Sequence, residues 1–577
     1  MWWIAPLVLA ILAFRPDAAC AQGSSGANAP TETERLALGQ RIYREGILPS
    51  GKPLQGVAQA NVQRVGAVAA CVTCHRRSGY GSSEGTLEIR SVTGPALFGK
   101  NDVRPVAPES GANGTRRAST NNPADSASAT TKALRESRIA AFYGKRQRPP
   151  YDDVALRLAI SEGVDVTGRA LNAGMPRYAL NDDDYAALLA YLKTLSVHFS
   201  PGVTDDMFHF ATVIQPGVDV EKRRALLEIL QAYINDRNAG MRSEVRKHLA
   251  GSVRLGRTYR EWVLHVWELN GPSDSWGKQL EAYNSRQPVF ALISGLGNAS
   301  WRPIHDFSER FEVPCIFPQT DLPVVEGQGV YTVYLSKGIT LEAAALAKFL
   351  QDRDERGPVT QVFRRDEMGV AASDTFRKAW EAKRRTDLKD RVLEGAPDKT
   401  FWQDLSNASA HSTLILWLSP KDLAGAQELV ATESKVKFIY LSSTLQADNS
   451  SALVTLPDRR VRLIYPQDLP EAREQRLLSV KSWLRTNGIA LSDERLQLNA
   501  YLAMMITAGE ISHAMDTFSR DFLLERIEHR VGNAFDPSLY PHLSLGPGQR
   551  FASKGSYIVD AASAGAPLNR VSGWIVP

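Results

Sequence analysis

The stretch Ala69-Ala70-Cys71-Val72-Thr73-Cys74-His75 decides how the first part of this 577-residue chain is organised. Two thiols three positions apart, followed at once by a histidine, form the Cys-x-x-Cys-His pattern of covalent haem c attachment. Each thiol can add to one vinyl group of a haem, and the histidine then stands beside the iron. The sequence therefore predicts one covalent haem c on Cys71 and Cys74, with His75 as an iron ligand.

A redox dithiol and half of a zinc site are the alternatives for this pair of cysteines. A zinc cage built on two such pairs needs four thiols, but beyond the predicted leader only Cys315 accompanies Cys71 and Cys74. Cys315 stands between Pro314 and Ile316 in an apolar stretch, which favours a buried and inert thiol. Haem attachment is therefore the preferred interpretation.

An apolar run from Trp2 to Phe14, followed by Ala19-Cys20-Ala21, has the form of a secretory signal peptide over residues 1–21. A short linker, 22–30, follows it. No later stretch is long and apolar enough to cross a bilayer, so we expect no integral membrane segment after cleavage. Because c-type haem is attached outside the bacterial cytoplasm, the leader and the motif together predict a periplasmic protein.

The composition is that of a globular chain, with 43% hydrophobic and 23% charged residues. The formal net charge is only +5, and the basic residues are scattered along the sequence. No basic stripe or tail stands out, so nucleic acid is not expected as a partner. The length predicts several domains.

Two helical stretches enclose the haem motif in the sequence. Thr31-Glu32-Thr33-Glu34 has the cap and acidic first turn of a helix, and Asn181-Asp182-Asp183-Asp184 starts another. Gly39 would permit these helices to cross closely, with Tyr43 packed against Leu188 and Tyr191. We therefore expect the two helices to pair.

Two loops complete the pattern between these helices: Gly94-Pro95-Ala96-Leu97 and Gly174-Met175-Pro176-Arg177-Tyr178. In this order the motifs resemble those of class I c-type cytochromes, over residues 31–199. The resemblance implies an all-α domain in which the Pro95 carbonyl orients His75 and Met175 is the second axial iron ligand. The segment 101–131, rich in Ala, Ser, Asn and Gly, is predicted to be a flexible insertion.

The remainder of the chain alternates predicted strands and helices, which indicates parallel sheets covered by helices. Predicted strands are Phe208–Ile214, Trp262–Leu269, Val289–Ile293, Val313–Phe317, Val330–Leu335, Val359–Phe363, Leu414–Leu418 and Val436–Leu441. Predicted helices are Glu221–Arg237, Ser275–Asn284, Trp301–Phe311, Met368–Lys383 and Pro420–Glu433. Two such α/β lobes would enclose a cleft.

This part resembles the type I periplasmic ligand-binding proteins of the leucine/isoleucine/valine-binding group. The likeness is carried best by the run from Asn298 to Ile304 and by Val313-Pro314-Cys315-Ile316-Phe317-Pro318. It implies a two-lobed α/β domain over 207–577 with a small-molecule ligand at the carboxyl ends of the strands. The candidate cleft residues are Gln215, Ser294, Asn298, Gln319, Thr320, Arg365, Asp366, Trp417 and Ser442.

The sequence therefore predicts a multidomain electron-transfer protein. Its low-spin haem, ligated by His75 and Met175, would exchange one electron with a periplasmic redox partner such as a dehydrogenase, and its second domain would bind a ligand or a partner. The alternative is a redox-linked solute receptor or sensor whose cleft is the primary function. Methionine on the iron leaves no open coordination position, so no enzymatic activity is expected.

Overall fold

A computed structural model describes residues 30–84, 87–99, 149–248, 260–327, 329–353, 357–446, 456, 458–514, 518–530, 537–561 and 566–577. The predicted signal peptide, the linker up to residue 29 and the insertion 101–131 lie outside the described residues. The chain divides into two compact units, Met1–Thr73 with Lys100–Lys193, and Cys74–Gly99 with Thr194–Pro577. The segment Cys74–Gly99, which we expected in the first domain, thus belongs to the second unit.

The first unit is built on the helices Glu32–Glu45, Asp153–Ser161 and Asp182–Thr194. The predicted helix start is confirmed, because Thr31 and Glu34 exchange side-chain and backbone hydrogen bonds as a capping box. The close crossing is also confirmed: a Cβ on Gly39 would lie 2.0 Å from the Ala187 carbonyl oxygen. The Tyr43 and Tyr191 rings pack with their centres 5.4 Å apart.

The first unit also contains an antiparallel sheet of three short strands, in the order Gln63–Val65, Gln55–Val57 and Arg177–Tyr178. The expectation of an all-α first domain is therefore wrong. Pro176 has no backbone N–H, and the two residues after it extend to pair with Gly56 and Val57. Strands of two or three residues carry no alternating pattern long enough to be read from the sequence.

The second unit contains two separate sheets. The first has five parallel strands in the order Thr332–Val333, Cys315–Ile316, Ala291–Ile293, Met207–Ile214 and Glu261–Glu268. The second has five parallel strands, Leu388–Val392, Val359–Phe363, Thr413–Trp417, Phe438–Ser442 and Val461–Tyr465, extended by the antiparallel strands Tyr557–Ala561 and Leu568–Arg570. The prediction of two α/β lobes is confirmed.

The chain passes between the lobes three times. It leaves the first lobe after strand Thr332–Val333 and the second after Val461–Tyr465, returning to the second at Tyr557–Ala561. The longer helices of the second unit are Val220–His248, Trp276–Arg286, Arg302–Phe311, Ile339–Asp352, Glu367–Glu381, Lys399–Ala408, Pro470–Thr486, Glu494–His513 and Arg520–Arg530. Helices Glu494–His513 and Arg520–Arg530 pack into the core of the first lobe.

The predicted strands begin and end within two residues of the observed ones. They could be predicted because continuous apolar runs mark strands that are covered on both faces. The predicted helix Pro420–Glu433 is wrong. It consists of two short 3₁₀ turns, Pro420–Leu423 and Ala426–Val430, separated by Gly425 at φ 79°. That left-handed backbone conformation breaks the helix, and only glycine adopts it without strain. Within the described part of the chain, no helix has the length and hydropathy that a membrane span requires.

Candidate functional site

A cleft of about 420 Å³ lies where strands of both lobes end. Its wall includes loops that follow strands Met207–Ile214, Ala291–Ile293 and Cys315–Ile316 of the first lobe. The second lobe contributes the loops after Phe438–Ser442 and Val461–Tyr465. The carboxyl ends of parallel strands are where α/β folds bind ligands, so this cleft is the candidate binding site.

Three of the predicted residues line the cleft: Asn298, Gln319 and Thr320. They are positioned by the turns after strands Ala291–Ile293 and Cys315–Ile316. The Gly297 N–H donates to the Gln319 carbonyl at 3.1 Å, and the Gln319 N–H donates to Gly295 at 3.0 Å. This reciprocal pairing fixes the two loops to each other.

Gln215 and Ser294 support this wall from behind and do not line the cleft. The Gln215 Oε1 accepts the backbone N–H groups of Asn298 and Ala299, both at 3.1 Å, and its Nε2 donates to Ser300. The Ser294 Oγ accepts from Gln319 Nε2 at 3.2 Å. Both side chains are about 1% exposed, so they position loops.

The other four candidates also lie off the cleft wall, which corrects the expectation for them. Arg365 is exposed, and Asp366 caps helix Glu367–Glu381 by accepting from the Gly369 N–H at 2.7 Å. Trp417 is a core residue whose Nε1 donates to Gln361. Ser442 is fully buried and accepts the Leu445 N–H. A position near the end of a strand does not by itself determine whether a side chain points into the cleft or away from it.

Sequence reasoning missed the charged residues of the cleft. Arg495, on helix Glu494–His513, makes a two-pronged ion pair with Asp321 at 2.9 and 3.0 Å, and this carboxylate raises the pKa of Arg495. Lys222 Nζ lies 3.8 Å from Asp493. Helix Glu494–His513 is distant in sequence from the strand ends, so no local signal connected it with the cleft.

Two amide side chains of the wall, Gln446 and Asn499, are 3% and 4% exposed. Gln446 Nε2 donates to the Leu418 carbonyl at 3.0 Å, and Asn499 Nδ2 lies 3.4 Å from Gln319 Oε1. Their oxygens, Gln446 Oε1 and Asn499 Oδ1, have no hydrogen-bond donor among the described residues. A buried acceptor without a donor costs about 1–3 kcal/mol.

A buried carboxyl group stands behind the second-lobe side of the cleft. Glu342 Oε1 accepts from the Ser443 hydroxyl at 2.9 Å and from the Thr444 N–H and hydroxyl at 3.0 and 2.7 Å. Burial raises the pKa of Glu342 to about 7, although hydrogen bonds from Ser442, Thr444 and Ser443 oppose the shift. The hydroxyl groups of Ser443 and Thr444 therefore donate away from the cleft.

The haem motif forms its own local structure. Residues Val72–His75 make one helical turn, and the Thr73 hydroxyl donates to the Ala70 carbonyl at 2.7 Å. His75 Nδ1 lies 2.9 Å from the Arg90 carbonyl oxygen. Since a carbonyl can only accept, Nδ1 carries the proton and Nε2 keeps its lone pair, while burial lowers the pKa of His75. A neutral imidazole oriented in this way suits an iron ligand.

The expectation for Pro95 is corrected by this geometry. The Pro95 carbonyl accepts the Gly99 N–H at 3.0 Å, inside the short helix Gly94–Phe98. The carbonyl that orients His75 belongs to Arg90, which follows the hairpin of strands Ser82–Glu84 and Leu87–Ile89. The sequence did not predict this hairpin. The Gly-Pro-x-Leu pattern therefore indicated Pro95, and not Arg90, as the hydrogen-bond acceptor of His75.

Within the first unit, the Met175 loop is tied to the chain before Cys71. The Tyr178 hydroxyl donates to the Ala69 carbonyl at 2.8 Å, and the Gln59 N–H donates to the Ala173 carbonyl at 3.1 Å. Met175 is half-buried in a turn closed by its N–H and the Asn172 carbonyl. The Met175 loop and the chain before Cys71 are thus joined within the first unit.

The residues directly after the motif are held by helix Arg520–Arg530. Arg76 pairs with Glu528 at 3.0 Å, Arg77 with Asp521 at 3.4 Å, and the Tyr80 ring packs on Phe522. The Ser78 N–H and hydroxyl donate to Glu525 at 2.9 and 2.5 Å. Burial raises the pKa of Glu525 to about 7. The segment after His75 is therefore anchored within the second unit.

Two other buried titratable residues, Glu510 and Cys315, have structural roles. Glu510 is 2% exposed and pairs with Arg526 and Arg530, while His513 on the same helix is exposed. Cys315 is fully buried, which raises the pKa of its thiol to about 12. In the described part of the chain, no group of three or more His, Cys, Asp or Glu side chains could hold a metal ion.

Comparison with known proteins finds similarity to this chain among solved structures alone. No family model and no curated protein sequence matches it. The chain is similar to a branched-chain amino acid ABC transporter protein from Thermus thermophilus with bound valine, at 14% identity and a TM-score of 0.47, covering 64% of this chain and 97% of that one.

Two further solved structures are similar. One is a fatty acid ABC transporter substrate-binding protein from Thermomonospora curvata, at 15% identity, 66% and 95% coverage and a TM-score of 0.43. The other is a solute-binding protein from R. palustris in complex with benzoate, at 13% identity, 64% and 97% coverage and a TM-score of 0.44. With TM-scores below 0.5, these likenesses assign neither a family nor a ligand to this chain.

Proposed function

We propose that this protein is an exported receptor that binds a small solute in the cleft between its two α/β lobes. The observation that carries the proposal is the cleft itself, about 420 Å³ in volume and bounded by loops after parallel strands of both lobes. Its volume suits a small molecule. The buried amide oxygens of Gln446 and Asn499 on its wall have no hydrogen-bond donor among the described residues, so a ligand could supply one to each. Export to the periplasm is part of the proposal and rests on the predicted leader.

The test is a screen of small solutes against the full chain by thermal unfolding and calorimetry. We expect at least one class to raise the unfolding temperature, because a ligand that binds only the folded state stabilises it. Thr320→Trp should fill the half-buried cleft wall and abolish this shift. Thr386→Trp, at an exposed loop position, is the matched control and should keep it. Binding that survives Thr320→Trp would contradict the assignment to this cleft.

We propose one-electron transfer through haem c as a second function, supported by the orientation of the His75 imidazole. Cys71 and Cys74 would hold the haem, and His75 and Met175 would be its axial ligands. The neutral His75 imidazole, oriented by the Arg90 carbonyl, fits the first ligand. The bound haem would supply a one-electron couple, exchanged with a periplasmic redox protein such as a dehydrogenase. No catalytic step is proposed.

The haem assignment has its own tests. Cys71→Ala with Cys74→Ala should abolish haem that survives denaturation, whereas Cys315→Ala should leave it attached, because that thiol is buried in a strand. Met175→Ala should lower the reduction potential and open the iron to carbon monoxide. Covalent haem in the double variant, or an unchanged spectrum in Met175→Ala, would refute the corresponding assignment.

A further inference from the structure

We propose that the cleft selects an uncharged solute that carries at least two N–H or O–H donors, such as a primary amide or a diol, and discriminates against carboxylates. The proposal rests on the receptor function and specifies its ligand class. It follows from which hydrogen-bonding groups of the wall are already used and which are not.

The two buried side-chain atoms of the wall that have no hydrogen-bond partner among the described residues are both acceptors. Gln446 Oε1 and Asn499 Oδ1 belong to side chains more than nine-tenths buried on the cleft wall, and neither has a donor among the described residues. They come from different elements, a second-lobe loop and helix Glu494–His513. A ligand that offers two donors would satisfy both oxygens at once.

The orientation of these amides is fixed by backbone carbonyls, which can only accept. Gln446 must direct its Nε2 to the Leu418 carbonyl, so its oxygen is the free end. Gln319 Nε2 donates to the Phe317 carbonyl at 3.2 Å, which leaves Gln319 Oε1 to accept from Asn499 Nδ2. Rotating either amide by 180° would bring two oxygens together.

Several donors at both sides of the wall are, in contrast, already occupied. The hydroxyl groups of Ser443 and Thr444, and the Thr444 N–H, all donate to the buried Glu342. In the first lobe, the N–H groups of Asn298 and Ala299 donate to Gln215 Oε1. These five groups are therefore not available to a carboxylate.

The charged residues of the wall also disfavour a carboxylate ligand. Among its described residues, three aspartates face two cations, and each cation has a carboxylate partner: Arg495 has Asp321, and Lys222 has Asp493. The third aspartate, Asp219, accepts the N–H groups of Glu221 and Lys222. The carboxylate of a ligand would meet acceptors and paired charges, at the cost of its hydration.

The experiment uses acid and amide probes of matched shape, isobutyrate and isobutyramide, and longer homologous pairs up to eight carbons, with propane-1,2-diol as a diol probe. Binding to the full chain is followed by calorimetry at pH 7.5. We expect the amide of at least one pair to bind at least tenfold more tightly than its acid. Gln446→Met should weaken amide binding at least tenfold, whereas Gln403→Met, on an exposed helix face, should not.

The outcomes separate the two proposals. Acids that bind as tightly as their amides would overturn the ligand class while the receptor function stands. If no probe and no solute of the wider screen binds, the receptor function fails as well. Asn499→Leu, on a different element, repeats the test should Gln446→Met not fold, and unchanged amide binding in a folded variant of either residue would also overturn the inference.

Discussion

Two buried glutamates of the second unit, Glu342 behind the cleft and Glu525 beneath the residues that follow the haem motif, are built alike. Each accepts a backbone N–H and hydroxyl hydrogen bonds, from Thr444 and Ser443 for Glu342 and from Ser78 for Glu525. Burial raises the pKa of both carboxyl groups to about 7. The same local chemistry therefore anchors the cleft wall and the segment after His75.

The two sites differ in their charged surroundings. For Glu342 only hydrogen bonds oppose the effect of burial, and its Oε2 has no donor among the described residues. Glu525 also senses Arg76, which lowers its pKa, and Asp521, which raises it. The comparison teaches that the cleft wall depends on the protonation of one isolated group, whereas the segment after His75 depends on a network of ion pairs.

The largest expected effect comes from Glu342→Gln, which removes the titrating group behind the cleft wall. The pKa of Glu342 is raised from 4.5 to about 7 in the folded state, so its favourable contribution is fully present below about 4.5 and is lost as the pH rises through about 7. The shift corresponds to roughly 3 kcal/mol of pH-dependent stability.

Urea unfolding of both proteins between pH 4.5 and pH 8 measures this difference. We expect the variant to gain stability relative to the unmodified protein as the pH rises, with the gain levelling off above pH 7. A free-energy difference that stays constant over this range would show that Glu342 does not titrate there, and the contrast with Glu525 would lose its basis.

Arg76→Met should break the ion-pair network that holds the segment after His75 on helix Arg520–Arg530. Arg76 and Glu528 are 17% and 7% exposed, so removal of the cation leaves a carboxylate poorly solvated. Glu528 keeps Arg550 as a second partner, which limits the loss to about 2 kcal/mol of unfolding free energy. Urea unfolding at pH 7 is the measurement.

Arg41→Met is the matched control for this variant. Arg41 and Glu45 form an exposed ion pair on one helix, 44% and 53% exposed, and such pairs contribute at most about 0.5 kcal/mol. Equal losses in the two variants would mean that the Arg76 network is no stronger than a surface pair.

The lobes could be predicted because apolar runs mark strands covered on both faces, and most of these strands lie where expected. The cleft was predicted only in part. Asn298, Gln319 and Thr320 follow strands directly and line it, but Trp417, equally placed in sequence, packs into the core. Which face a terminal side chain takes depends on strand twist and on the covering helices, and neither is local.

The remaining cleft residues could not be found from local sequence at all. Arg495 and Asn499 come from a helix more than a hundred residues beyond the first-lobe strands, which the second passage between the lobes brings back to the first lobe. Arg90 was missed for a different reason: it is only 15 residues from His75, but an unpredicted hairpin places its carbonyl in the role expected of Pro95. Long-range topology, more than residue chemistry, limited the prediction.

Glu525→Gln should reproduce the Glu342 effect in weaker form. The pKa of Glu525 is also raised to about 7, so its contribution is again lost as the pH rises from about 4.5 through 7. Its side chain is only partly buried by area, and Arg76 offsets part of the cost, so we expect about 1–2 kcal/mol. The pH dependence of urea unfolding tests this, and an effect larger than that of Glu342→Gln would reverse the comparison.

Ser78→Ala is the smallest and most local change. The Ser78 hydroxyl donates to Glu525 Oε2 at 2.5 Å, while the backbone N–H still donates to Oε1 after the substitution. Loss of one hydrogen bond to a partly charged carboxyl should cost about 1 kcal/mol at pH 7.5, and less below pH 5, where Glu525 is protonated. A cost that does not depend on pH would mean that the hydroxyl only fills space. A pH-dependent cost would show that a single hydroxyl, three residues after His75, helps to set the ionisation of the carboxyl group that anchors this segment.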